Sequence, residues 1–193
     1  MPHPSRISPE SITRLARSLL EEHGIEGLSM RELARRLDVR APSLYFHVEG
    51  RDDLIRLLTT AGLRELGTML TEADAGAVGP GPRLHAMADA YASFGFASPQ
   101  LFSLIFGPCP EERRAEDEAA AAAAGPLLAA VEELVGEGDV LDIAQAFWSL
   151  VHGYTTLALS DQFRIGGDPR RAIHRSVDYL LAGIGVDAGL ERG

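Results

Sequence analysis

Arg40, Ala41, Pro42 and Ser43 are followed at once by Leu44 and by three ring-bearing side chains, Tyr45, Phe46 and His47. A guanidinium is a planar fork that grips a guanine edge or a phosphate, and small apolar groups such as Ala41 and Pro42 suit the methyl group of thymine. A short helix presenting these residues from its N-terminal turn has the chemistry of a duplex-DNA reader, because such a helix touches base edges near its start while the preceding helix crosses the backbone.

The surrounding elements must hold that turn in place, and the spacing of apolar residues supplies them. Ile12, Leu15, Ala16, Leu19 and Leu20 recur at helical intervals, with Ser8 and Pro9 suited to cap and open the helix and Gly24 to follow its end. A first helix is therefore expected over about 9–23. Ser29 and Glu32 have the spacing of a capping box, and Leu28 and Leu33 that of a hydrophobic staple, so two signals agree on where a second helix starts. Leu33, Ala34 and Leu37 face its core. Asp38-Val39-Arg40 reads as a turn, Ala41–His47 as a short third helix with Leu44 inward, and Arg51-Asp52-Asp53 as the start of a fourth carrying Leu54, Leu57, Leu58 and Ala61.

Farther along, residues 76–82 are rich in Gly and Pro and break the fourth helix. Helices are expected over about 83–97, from Ser98-Pro99 to Gly107, over 111–136 through an alanine-rich stretch, from Asp139 to about 161, and from Pro169 to about 184. The expected class is all-α, about nine helices, with no strand-like alternation. In the helix after Asp139 two stripes are apolar: Ile143, Phe147, Leu150, Tyr154 and Leu157, and beside them Ala144, Trp148, Val151, Thr155 and Ala158. The last helix carries Ile173, Val177, Leu180, Leu181 and Ile184. A helix apolar on two sides must be covered on both, so a homodimer through these last two long helices is expected.

At 193 residues, with 46% hydrophobic and 24% charged residues, the chain has the makeup of a globular protein able to bury a core without metal or disulfide. No apolar run approaches the roughly 20 residues of a membrane span, and Met-Pro-His-Pro-Ser-Arg has no signal-peptide character, so a cytoplasmic location is expected. The single cysteine, Cys109, reads as a bystander in a Pro-rich loop. The net charge of -10 is unevenly spread: residues 1–66 hold ten arginines and ten acids, and residues 67–193 hold eight arginines and eighteen acids. The reading segment is thus neutral and the acidity lies elsewhere, where screening over roughly 8–10 Å limits its effect on phosphate binding. There is no lysine, so every cationic contact with DNA falls to arginine. No two histidines stand at i, i+4, and no His-Glu-x-x-His, paired-Cys, Gly-rich phosphate loop or nucleophile-elbow pattern occurs; no catalytic residue, metal or cofactor is expected. Glu111, Glu112, Glu116, Asp117 and Glu118 read as a solvated helix start.

The run Leu44-Tyr45-Phe46-His47, followed by a basic residue at Arg51, resembles the DNA-binding domain of the tetracycline-repressor family over about residues 6–60. The resemblance implies that Ser29 and Met30 lie near phosphates and that Arg31 reaches a base. It further implies that Arg40, Ala41, Pro42, Ser43 and Phe46 read the groove, and that Tyr45, His47 and Arg51 grip the backbone. Asp38 stands where glycine is usual, and Arg51 where lysine is more frequent. Ser98–Gly107 and the run from Trp148 through His152 to Gly153 resemble a subgroup with a Trp, His, Gly signature in its C-terminal domain.

The expected division is a DNA-binding helix-turn-helix domain over 1–50 and a helical ligand-binding and dimerisation domain over 51–193. The expected activity is that of a ligand-responsive transcriptional repressor, dimeric on a palindromic double-stranded operator and released by a small molecule. Trp148 and His152 share a helix face and are candidates to line an effector pocket with Met87, Phe94, Phe102 and Thr155; equally, Trp148 is core or dimer interface and His152 a packing residue. Two alternatives are a constitutive or activating regulator without inducer, and a helical binding module or enzyme that has lost DNA.

Overall fold

The computed structural model describes residues 7–108, 110–136, 138–164 and 166–185. Cys109 lies outside them. Among the described residues there are nine α-helices and no strand: α1 (Pro9–Gly27), α2 (Met30–Arg36), α3 (Ala41–Leu44), α4 (Arg51–Ala75), α5 (Pro80–Ala97), α6 (Pro99–Phe106), α7 (Asp117–Val135), α8 (Val140–Leu159) and α9 (Pro169–Gly183). The all-α reading of the periodicity holds.

The helices gather into two compact units, one holding the residues up to Arg64 with Ser98–Ala120, the other Glu65–Ala97 and the residues from Ala121 on. In this first unit α1 packs on α2 and α6, and α2 on α3. Its core is Ile12, Ala16, Leu19, Leu20, Leu28, Leu33, Leu44, Leu54, Ile55 and Leu58, all at most 1% exposed. Each Leu or Ile of this set removed from water contributes about 1.5–3 kcal/mol. Gly62 marks a close approach: a Cβ there would stand 2.7 Å from Ile105 Cδ1 and 3.0 Å from Leu101 Cδ2 on α6.

Several helix ends follow local chemistry. Ser8 and Ser11 close a reciprocal capping box ahead of Pro9, and Asp168 accepts from the Arg170 N–H. Gly24 has φ 67 and ψ -175, a region open to glycine almost alone, so α1 kinks where its expected end lay and then runs on to Gly27. Other ends differ from expectation. The α5 helix begins at Pro80, three residues early, because prolines in a first turn lack only N–H groups that would have no helical acceptor. The stretch expected as one helix over 111–136 is a 3-10 turn, Glu111–Arg113, followed by α7. Long-range bonds explain the break: the Glu116 N–H donates to Thr60 Oγ1, and its carboxylate receives Arg56 and Arg64 from α4.

In the second unit α5, α8 and α9 pack mutually. The buried line of α8 is Ala144, Phe147, Val151 and Thr155, drawn from both stripes read in the sequence, while Leu141, Trp148 and Leu157 remain exposed. On α9, Ile173, Val177 and Leu181 are buried and Tyr179 is 63% exposed. No helix among the described residues is long and apolar enough to cross a membrane.

Candidate nucleic-acid interface and effector site

The α2–α3 corner is built by short-range bonds. Ser29 caps α2 by accepting the Glu32 N–H at 3.2 Å. The reciprocal half of the expected capping box is replaced: the Glu32 carboxylate accepts from Arg35 at 2.6 and 2.8 Å and from Arg36 at 3.2 Å. The Arg35 hydrogen bonds, with smaller help from Arg36, hold the Glu32 carboxyl down at about 2. Arg36 also reaches Glu22 on α1 at 2.8 Å. At the C-terminal end of α2, Asp38 adopts φ 55, its N–H donates to Arg35 and the Val39 N–H to Ala34. That is a Schellman closure, usually made by glycine, with aspartate in the left-handed position.

The α3 helix is one turn, Ala41–Leu44, shorter than the expected 41–47; the Val48 N–H bonds back to Leu44, and residues 45–47 form a turn. Leu44 and Val48 face inward. What this leaves outside is Phe46, 86% exposed, Tyr45, 54% exposed, and the exposed His47, Pro42, Arg40 and Arg31. Ser29, Ala41 and Ser43 are half-buried, while the Met30 side chain is buried, which leaves only its backbone available to a phosphate. Among the described residues neither the Arg31 nor the Arg40 side chain has a hydrogen bond or an ion pair. Arg51 is held differently: its Nε–H donates to the Leu28 carbonyl at 2.9 Å and its Nη2 to the Ile25 carbonyl at 2.6 Å.

In the second unit, Trp148 Nε1–H donates to Tyr91 Oη at 3.2 Å, and Tyr91 Oη lies 2.9 Å from His152 Nδ1. His152 Nε2 lies 3.3 Å from Thr156 Oγ1. An indole only donates, so the phenol oxygen accepts from Trp148 while sharing a second hydrogen bond with His152 Nδ1. Burial pushes the Tyr91 hydroxyl up in pKa, opposed by the Trp148 bond, and burial pushes the His152 imidazole down. Of the other effector candidates, Met87 and Phe94 are each 1% exposed on α5, and Thr155 donates its hydroxyl to the Val151 carbonyl. Phe102 belongs to the first unit, on α6, 5.0 Å from the Phe106 ring.

Tyr91 is the residue that reading the sequence missed. It stands four after Met87 and three before Phe94, on the buried face of α5, and a buried phenol needs a polar partner. The first unit holds a second unforeseen set: α6 opens without a bond from its own cap Ser98, whose hydroxyl accepts from Arg17 of α1 at 2.7 Å. The Glu21 carboxylate, also from α1, accepts the Gln100 and Leu101 N–H groups at 3.2 and 2.9 Å instead.

Comparison with known proteins agrees with this arrangement. Residues 12–58 match the family profile described as bacterial regulatory proteins, tetR family, and residues 84–180 match the tetracyclin repressor-like C-terminal domain. An uncharacterized HTH-type transcriptional regulator of Mycobacterium tuberculosis is 30% identical over 163 residues, covering 81% of this chain and 72% of that protein. The class D tetracycline repressor of Escherichia coli is 41% identical over 54 residues, 28% of this chain and 25% of its own. A Rhodococcus protein of unknown function superposes with TM-score 0.81 at 28% identity, over 94% of this chain and 96% of that one. A tetracycline-repressor variant of Acinetobacter baumannii in complex with minocycline shares the fold, with TM-score 0.67 at 21% identity over 93% and 97%. The N-terminal and C-terminal domain matches and the 30% identical mycobacterial relative together make this chain a member of the tetracycline-repressor family, a DNA-binding transcriptional regulator.

Proposed function

We propose that this regulator is a ligand-responsive repressor that binds a palindromic operator as a homodimer and leaves it when a small, largely apolar molecule binds. Residues 1–50 are the reading domain in this view and residues 51–193 the dimerising and sensing one. The observation that carries it is the α2–α3 corner: Phe46 stands out into solvent, and the exposed Arg31 and Arg40 have no side-chain partner among the described residues, a combination that costs the isolated molecule apolar exposure and suits a groove. Arg31, Arg40, Ala41, Pro42, Ser43 and Phe46 read bases and nearby backbone; Ser29, the Met30 N–H, Tyr45 and His47 hold phosphates. Leu141, Trp148 and Leu157 on α8 and Tyr179 on α9 are the apolar groups a second copy would cover.

The sensing part centres on Met87, Phe94, Trp148 and His152, and the run from Trp148 to Gly153 fits the Trp, His, Gly subgroup. An effector acts by its difference in affinity between two states of the dimer, only one of which keeps the reading heads at the spacing of the half-sites, roughly 34–36 Å or a multiple of it. A second reading is favoured by the chain of bonds from Trp148 through Tyr91 and His152 to Thr156: these polar groups already have partners, as they would in a constitutive regulator whose C-terminal domain only dimerises.

Selection of binding sites from a random DNA pool tests the first part, with a palindrome expected and its absence at low salt decisive against it. A small-molecule release screen on the selected duplex separates the two readings, since a constitutive regulator is released by none.

A further inference from the structure

Arg51 is the first residue of α4, where a cation suits the helix poorly: the first turn carries unpaired N–H groups and the positive end of the dipole. Asp52 and Asp53, next in the chain, are what that terminus favours. A residue that breaks a local rule is expected to answer to something outside its own helix. For Arg51 that is the far end of α1, where carbonyl oxygens concentrate negative partial charge. Its Nε and Nη2, the two nitrogens along one edge of the guanidinium, donate to Leu28 and Ile25. These carbonyls bracket the corner between α1 and α2; the Ile25 carbonyl also accepts the Leu28 N–H at 3.3 Å, and Leu28, fully buried, leads straight into the cap Ser29.

We propose that Arg51 is a positioning residue for DNA reading and not a phosphate contact: it clamps the α1–α2 corner to the start of α4 and so sets the direction of the first turn of α2, which carries Arg31. One of the two edges of the fork that can match a pair of phosphate oxygens, Nε with Nη2, is filled by two backbone oxygens. This distinguishes Arg51 from Arg31 and Arg40, whose side chains have no partner among the described residues. It also gives a reason for arginine at this position, since a lysine offers one nitrogen where two spaced donors are used.

The rule that each neutralised phosphate contributes about 0.9 to the slope of log affinity against log salt separates the two roles. Binding of the full chain to a selected duplex of about 30 base pairs is measured across roughly 50–300 mM salt, with amide hydrogen exchange of residues 25–31 followed without DNA. For Arg51→Ala and Arg51→Gln the expectation is a loss of about tenfold or more in affinity, an unchanged slope, and faster exchange at residues 25–31, with Arg51→Lys restoring neither. Arg40→Ala, the control, makes the slope shallower by about 0.9 per protomer and leaves that exchange alone. A shallower slope in Arg51→Ala with full rescue by Arg51→Lys, or unchanged exchange in Arg51→Gln, overturns the proposal. Thermal melts identify a variant that fails to fold, in which case Arg51→Gln and Arg51→Lys carry the test. Should the parent chain select no duplex, DNA reading falls with it, and the exchange of residues 25–31 still separates a clamp from an unattached arginine.

Discussion

The α2–α3 corner and the α5–α8 contact both gather aromatic and polar side chains, yet they treat them in opposite ways. At the corner Phe46, Tyr45, Arg31 and Arg40 face outward, and the bonds that hold the corner run through other groups: Ser29, Glu32, Asp38 and Arg51. In the α5–α8 contact Trp148, Tyr91, His152 and Thr156 bond to one another. Side chains left over after a surface has been made rigid are those that a partner molecule can take without competition. Side chains already bonded to each other yield to a ligand only if it replaces those bonds.

The sharpest way to break the corner is from beneath. Leu44 is fully buried in a helix of one turn, and Leu44→Ala is expected to cost about 2–5 kcal/mol, read as a lowered Tm with loss of DNA binding at growth temperature. Removing the unpaired cations tests the surface without its support: the Arg31→Ala, Arg40→Ala double variant keeps the parent Tm, while the salt slope of DNA binding becomes shallower by about 1–2 per protomer. Unchanged slope, affinity and sequence preference together would mean that neither arginine meets DNA.

The α5–α8 contact responds in stability first. In Tyr91→Phe the Trp148 N–H and His152 Nδ1 lose a shared partner, at an expected cost of about 1–3 kcal/mol. Trp148 is the sole tryptophan, so its emission reports the change directly. If Tyr91→Phe is neutral in stability yet alters release by effector, the bonds serve sensing and not packing.

The smallest effect concerns pH. Burial lowers the folded-state pKa of His152 below its ordinary 6.5. Between the two values the unfolded chain binds more protons, so stability attributable to this residue is full above about pH 6.5 and falls as pH drops through that value toward the folded one. His152→Gln, which retains an acceptor and a donor, is expected to flatten the fall of Tm between about pH 7 and pH 5 relative to the parent. The parent-minus-variant difference isolates this group from His85 and His174, which pair with Asp178 and Asp89.

What was legible in the sequence was local. Ser8 and Ser29 cap helices because a hydroxyl reaches an N–H three residues on, and Asp38 takes a left-handed turn because few other residues tolerate it. Where a nearer competitor existed, the same reasoning missed. Glu32 had the capping-box spacing but stands one helical turn from Arg35 and Arg36, whose charge-assisted bonds are stronger than one to a neutral N–H. The α6 start looked self-capped by Ser98, and α1 caps it with Glu21.

By itself the sequence determined the helical class, the family motif at Leu44–His47, and the neutral reading segment beside an acidic remainder, because these rest on periodicity, spacing and charge along the chain. Only the tertiary structure decided that Arg51 serves the α1–α2 corner, that Tyr91 joins Trp148 to His152, and that the Glu116 N–H bonds to Thr60 just ahead of α7. Each of those joins residues 23 to 61 positions apart, and a hydrogen bond between distant residues exists only once the packing of buried leucines and alanines has brought donor and acceptor within about 3 Å.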